Sequence, residues 1–93
     1  MKVIEHLSQA YYLLSDSNEN YLDVNCQKGP YSFSIIIRLN ESELSGYLDS
    51  GRKSIEALAV SVMNDPDAFS DRNIKDQGLL DRAYVAILAY PTH

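Results

Sequence analysis

A handful of short stretches carry side chains of the types that do chemistry, and their spacing decides what each could support. Asp16-Ser17-Asn18-Glu19-Asn20 places oxygen donors at alternate positions, the opening of a calcium-binding loop. The pattern then stops. Tyr21 stands where the loop needs a glycine for its sharp turn, and Gln27 where it needs a bidentate glutamate. Asp65, Asp67 and Asp71 fail the same test, with Phe69 and Ser70 in the places of a ligand and of the glycine. Histidine is the usual general base and metal ligand, but the two here, His6 and His93, stand near the ends of the sequence, where chain is often poorly held. Cys26 has no base near it in sequence and falls on an apolar face, where burial raises a thiol pKa. A carboxylate pair drawn from Asp23, Glu41 or the 65–77 stretch is conceivable, yet no spacing singles one out. Arg72, flanked by Asp71 and Asn73, is the basic residue to watch, either as a loop-stabilising ion pair or as a ligand contact. No catalytic residue, metal site or cofactor is expected.

Two further patterns are too short to carry a function. Ser50-Gly51-Arg52-Lys53 has the Ser-x-x-Lys spacing of penicillin-recognising enzymes, but the companion Ser-Asp-Asn and Lys-Thr-Gly motifs are missing and the chain is too small for that fold. Lys28-Gly29-Pro30-Tyr31-Ser32-Phe33 begins like the aromatic strand of an RNA-recognition module, with Pro30 where the first stacking ring should be and Phe33 on the expected core face. The Asn40-Glu41-Ser42 sequon is explained by helix capping.

Charge narrows the classes of partner. Thirteen acidic side chains against eight basic ones give a formal charge of −5, which argues against nucleic acid, whose phosphates are neutralised by Lys and Arg. Residues 1–50 carry seven of the acids and three of the bases, so an acidic N-terminal surface would suit a basic protein partner. The longest apolar run, Ala83 to Tyr90, is far short of the roughly 18 residues that span a bilayer, so no membrane association is expected. Glu5 and His6 interrupt any signal-peptide core, and a single cysteine cannot form an internal disulfide. A cytoplasmic location follows as the expectation.

These residues must be held by a small α+β fold, read as a single domain over residues 1–93. Alternation of apolar and polar side chains predicts strands at about 20–27 and 31–39, joined by the turn residues Gln27-Lys28-Gly29-Pro30. A third strand at about 10–15 completes an antiparallel meander, with residues 1–10 left as helix, strand or arm. Leu22, Val24, Cys26, Phe33, Ile35, Ile37 and Leu39 form its inner face. Leu44, Leu48, Gly51, Ile55, Leu58 and Val62 then step by fours and threes, which predicts one long helix over about 41–64 with Gly51 as a point of close packing. Asn40 and Glu43 form its capping box, and Asp65-Pro66 ends it. The polar 65–77 stretch is pinned by Phe69 and Ile74, and a last helix over about 78–89 presents Leu80, Ala83, Tyr84, Ile87 and Leu88, although its other face, with Val85, Ala86 and Ala89, is hardly polar. A strand is the alternative there. Both helices are expected on one sheet face.

On that arrangement the other sheet face would stay open, with Tyr21, Tyr31, Ile36, Asp23 and Tyr11 available for contact. Exposed tyrosine and isoleucine suit an interface. The expected function is therefore a small acidic protein–protein interaction module, forming a homodimer or binding a basic partner. Inhibitor and immunity-type proteins share this size and charge, an analogy with no motif behind it. The alternative is a small enzyme or ligand-binding protein with its pocket near the 65–77 loop.

Overall fold

Ile35-Ile36-Ile37, Leu13-Leu14 and Tyr21-Leu22 are adjacent apolar residues within strands, and successive strand side chains point to opposite faces. A sheet built from them has two faces to bury. A computed structural model, which describes residues 1–90, buries both. Four antiparallel strands run in sequence order: β1 (Lys2–Leu7), β2 (Tyr11–Asp16), β3 (Glu19–Lys28) and β4 (Tyr31–Arg38). Helices α1 (Glu41–Ser50) and α2 (Arg52–Asn64) follow, then a 3-10 helix (Pro66–Arg72) and helix α3 (Gln77–Ala89).

Residues 1–10 thus supply a fourth strand that the three-strand reading lacked. Its register slips between Val3 and Glu5, a bulge that leaves Val3 opposite Leu14 on one face and puts both Ile4 and Glu5 on the other. The bulge removes the alternation by which a strand is recognised. The turns are tight and local: Ser17 adopts φ 56° in the β2–β3 hairpin, and Gly29 adopts φ 62° ahead of Pro30 in the β3–β4 hairpin.

The helices lie on both faces, which corrects the expectation of one. Ile55, Ala59 and Val62 of α2 pack on Leu13, Leu22, Val24, Cys26, Ile35 and Ile37. Leu79, Ala83 and Ala86 of α3 pack on Val3, Leu14, Tyr21 and Ile36. The 65–77 segment carries the chain around the β4 edge from one layer to the other. Phe69 packs against the α2 core and Ile74 against the α3 core, while Ile74 N–H donates to Ile36 O (2.8 Å) and Ile36 N–H to Asn73 Oδ1 (3.1 Å). Those two bonds cover the middle of an otherwise open edge strand.

The long helix is broken. Gly51, with φ 67° and ψ −139°, ends α1 and begins α2 in a backbone region that side chains other than hydrogen rarely allow. A Cβ on Gly51 would meet nothing within 4 Å, so it is a hinge and not a close-packing point. Close packing belongs to Gly46, where a Cβ would stand 2.8 Å from Ser54 Oγ across the α1–α2 contact. The capping box is present, with Glu43 N–H donating to Asn40 Oδ1 (2.8 Å) and Asn40 N–H to Glu43 Oε1 (2.9 Å). Leu48 of the apolar seam is 77% exposed, because the hinge turns α1 away from the sheet.

Candidate functional site

The transverse row His6, Tyr12, Asp23 and Ile36 crosses all four strands, each residue directly paired with the next. It lies on the face that α3 covers. The His6 ring stacks on Tyr12 (centroids 5.5 Å apart) and meets Tyr90 edge-on (4.9 Å), so this end of the row is closed by rings. At the other end α3 leaves a groove of about 430 Å³ between itself and β4. Asp23, Ser34 and Ile36 line it from the sheet, Asn73, Ile74 and Lys75 from the segment before α3, and Leu80, Ala83, Tyr84 and Ile87 from α3 itself.

Asp23 is the unusual group. It is half-buried, and among the described residues it has no ion-pair partner. Loss of water around the carboxylate pushes its pKa up to about 6, an effect that hydrogen bonding from the Ser34 hydroxyl only partly offsets. A carboxyl with such a pKa is poised between its charged and neutral forms near neutrality. It can accept a cation or exchange a proton, and among the described residues no histidine lines the groove with it.

The outer side of α3 adds a second feature. Tyr84, Val85 and Leu88 are 64%, 64% and 66% exposed, although the inner side of the same helix buries Leu79, Ala83 and Ala86. A surface helix ordinarily turns polar residues outward. Tyr84 belongs to both features, since its ring also lines the groove.

The residues singled out from sequence are therefore distributed differently from expectation. Asp23 and Ile36 do meet in the groove, but Ile36 and Tyr21 are buried, at 4% and 7% exposure, because α3 covers the face that was expected to stay open. Tyr11 is buried in the α2-side core. Tyr31 is exposed at the β3–β4 hairpin, and it alternates with Phe33 opposite Cys26, which places it on the α2 side. Phe33 itself, expected inside, is 38% exposed, beyond the reach of the helices. Tyr84 and Leu88, read as inward, face out.

Arg72 is engaged within the fold. Its guanidinium grips Glu43 in a fork (2.8 and 2.6 Å), donates to Arg38 O (2.8 Å) and lies over the Phe69 ring. The Arg72 hydrogen bonds hold the Glu43 carboxyl below the usual range, against the opposing effect of burial. A wider groove of about 730 Å³ runs past Arg38, Glu41 and Arg72, but its arginines already have acidic partners, Arg72 in Glu43 and Arg38 in Glu19 (3.8 Å). Among the described residues, no three His, Cys, Asp or Glu side chains converge as metal ligands, and no helix is long and apolar enough to cross a membrane.

Comparison with family models, curated proteins and solved structures finds no match to this chain. The functional reading rests on the groove and the outer face of α3.

Sequence reasoning named Asp23 but missed Ser34, Asn73, Lys75 and the α3 stripe. One signal for the stripe was present, since Val85 and Ala89 leave the second face of α3 hardly polar. Nothing in the sequence signalled the groove, which exists only because the 65–77 segment, a strap around the β4 edge, meets α3 there.

Proposed function

We propose that this chain is a protein–protein interaction module that pairs with a second copy of itself through the outer face of α3. The observation that carries the reading is that α3 is apolar on both sides while only one side is buried. A second copy suits this surface on grounds of charge. The chain carries −5 overall, and copies meeting at random would repel, but α3 contains one acid, Asp81, and one base, Arg82. Two copies can join there without bringing like charges together, and a twofold axis needs only one self-complementary stripe. One helical stripe offers less than the roughly 800 Å² per side of a standard stable interface, which points to a pairing of modest, micromolar strength. The lone buried Cys26 suits a reducing, cytoplasmic setting for such a module.

Cysteine substitution tests this directly, because burial raises the Cys26 thiol pKa and keeps the native thiol inert. Separate Tyr84→Cys, Val85→Cys and Leu88→Cys variants are treated with a mild oxidant beside Tyr31→Cys, a still more exposed position away from α3. At least one α3 position should form a disulfide-linked dimer much faster than position 31. Equal rates at all four would remove the reading.

A second reading, a ligand-binding protein or small enzyme, is favoured by one observation. The 65–77 segment delivers Asn73, Ile74 and Lys75 to the wall of the Asp23 groove. A small molecule copurifying at stoichiometric occupancy in that groove would carry it.

A further inference from the structure

Asp23 is an acid whose surroundings are built around it and not with it. Its direct neighbours across the sheet are Tyr12 on β2 and Ile36 on β4. Above it stand Leu80, Ala83, Tyr84 and Ile87 of α3, none of them charged. Among the described residues Lys75 at the groove wall is the one cation facing this space, and it is exposed and makes no ion pair with Asp23. Every other charged group in the strap has found a partner elsewhere or lies in water.

We infer that the groove between α3 and β4 is a receptor for one basic side chain of a protein partner, with Asp23 as the carboxylate that receives it. The shape and lining follow the chemistry of such a side chain. Lysine and arginine carry a charged head on an apolar stem, and they bury the stem along apolar surface while the head seeks an anion. Here Ile36, Leu80, Ala83 and Ile87 offer the apolar wall, and Asp23 lies at the floor with the Ser34 hydroxyl beside it. Arginine fits best, because Tyr84 at the rim supplies a ring face for its planar guanidinium. The net charge of −5 steers a basic partner toward the surface, and the unpaired acid selects which of its side chains enters. A cation over Asp23 also relieves the desolvated carboxylate, so binding and deprotonation of Asp23 reinforce one another. This goes beyond pairing through α3, and it stands or falls separately from it.

The test uses the intact chain and a short blocked peptide, acetyl-Ala-Leu-Arg-Leu-Ala-amide, beside the same peptide with neutral citrulline in place of arginine. Binding is followed by the amide resonances of the isotope-labelled protein at pH 7.5 and pH 5. The arginine peptide should shift the resonances of Asp23, Ser34, Ile36 and Tyr84. It should bind about tenfold more tightly than the citrulline peptide at pH 7.5, the advantage expected of one charge-assisted contact, and lose most of that advantage at pH 5. Asp23→Asn, which keeps the shape of the side chain, should abolish the preference while its far-UV dichroism stays native. Equal binding of the two peptides, an undiminished preference in Asp23→Asn, shifts confined to another surface, or no binding at about 10 mM would each overturn the inference. Binding of n-butylguanidinium as tightly as the peptide would assign the groove to a small cation and overturn the partner. A Val85→Glu variant that is monomeric yet retains the preference would keep the receptor while confirming that pairing is a separate property.

Discussion

Asp23 and Ile36 stand directly opposite one another on β3 and β4, so a half-buried acid with no ion-pair partner among the described residues has a buried isoleucine as its cross-strand neighbour. An acid in that position weakens the fold whenever it is charged. It also gives the protein an unusual dependence on pH.

The sign is opposite to that of an ordinary paired carboxylate. Folding raises the Asp23 pKa from 3.8 to about 6, so the folded state holds the proton more tightly than the unfolded one. Stability from this group is therefore full below pH 3.8, declines as pH rises toward about 6, and stays low above it. The loss is on the order of 2–3 kcal/mol for a shift of this size. Asp23→Asn should raise the melting temperature at pH 8 by roughly 5–10 °C and change it little at pH 4. Thermal melts at the two pH values check this, and an equal change at both would contradict it.

Glu43 behaves in the ordinary way. Arg72 holds its pKa below 4.5, so its contribution is full above that value and is lost as pH falls through the lowered one. The two carboxyls therefore act in opposite directions as pH falls, Glu43 losing its contribution where Asp23 gains its own. In a double-mutant cycle, Glu43→Ala and Arg72→Ala should each cost about 1.5–3 kcal/mol by urea denaturation, with a coupling of about 1–2 kcal/mol. Additive costs would mean that the fork does not hold the 3-10 helix to the start of α1.

The two helix glycines should fail for different reasons. Gly51→Ala forces a side chain into φ 67°, ψ −139° with no clash, and should cost about 1–3 kcal/mol whatever its neighbours are. Gly46→Ala drives a methyl against Ser54 Oγ at 2.8 Å, and Ser54→Ala in the same chain should recover most of the loss. Denaturation of the three variants and the double variant distinguishes strain from contact.

Much of this fold was legible because local patterns decide it. Alternation placed β3 and β4, Gly29 lies in the expected turn, and the capping residues Asn40 and Glu43 start α1 where they should. The helical period failed at Gly51, since the apolar spacing runs on through a residue whose dihedral angles turn the axis. Strand β1 was hidden by its bulge at Ile4, which puts the neighbours Ile4 and Glu5 on the same face and so breaks the alternation. Burial of both sheet faces was signalled by Ile35-Ile36-Ile37, but which helix covers which face depends on the strap around β4 and on no local residue. For the same reason Asp23 could be named from sequence while its groove and its raised pKa could not. Ile36→Asp, which an open sheet face would tolerate, should instead unfold the chain.

Sedimentation equilibrium of the wild-type chain and of Val85→Glu, from about 10 to 500 μM, tests self-association through α3 most directly, in the micromolar range that a small interface implies. The wild type should rise from the 10.5 kDa of one chain toward twice that mass, and Val85→Glu should remain at one chain with its helical signal intact. A wild type that stays at 10.5 kDa throughout, or a Val85→Glu that associates equally well, would contradict it.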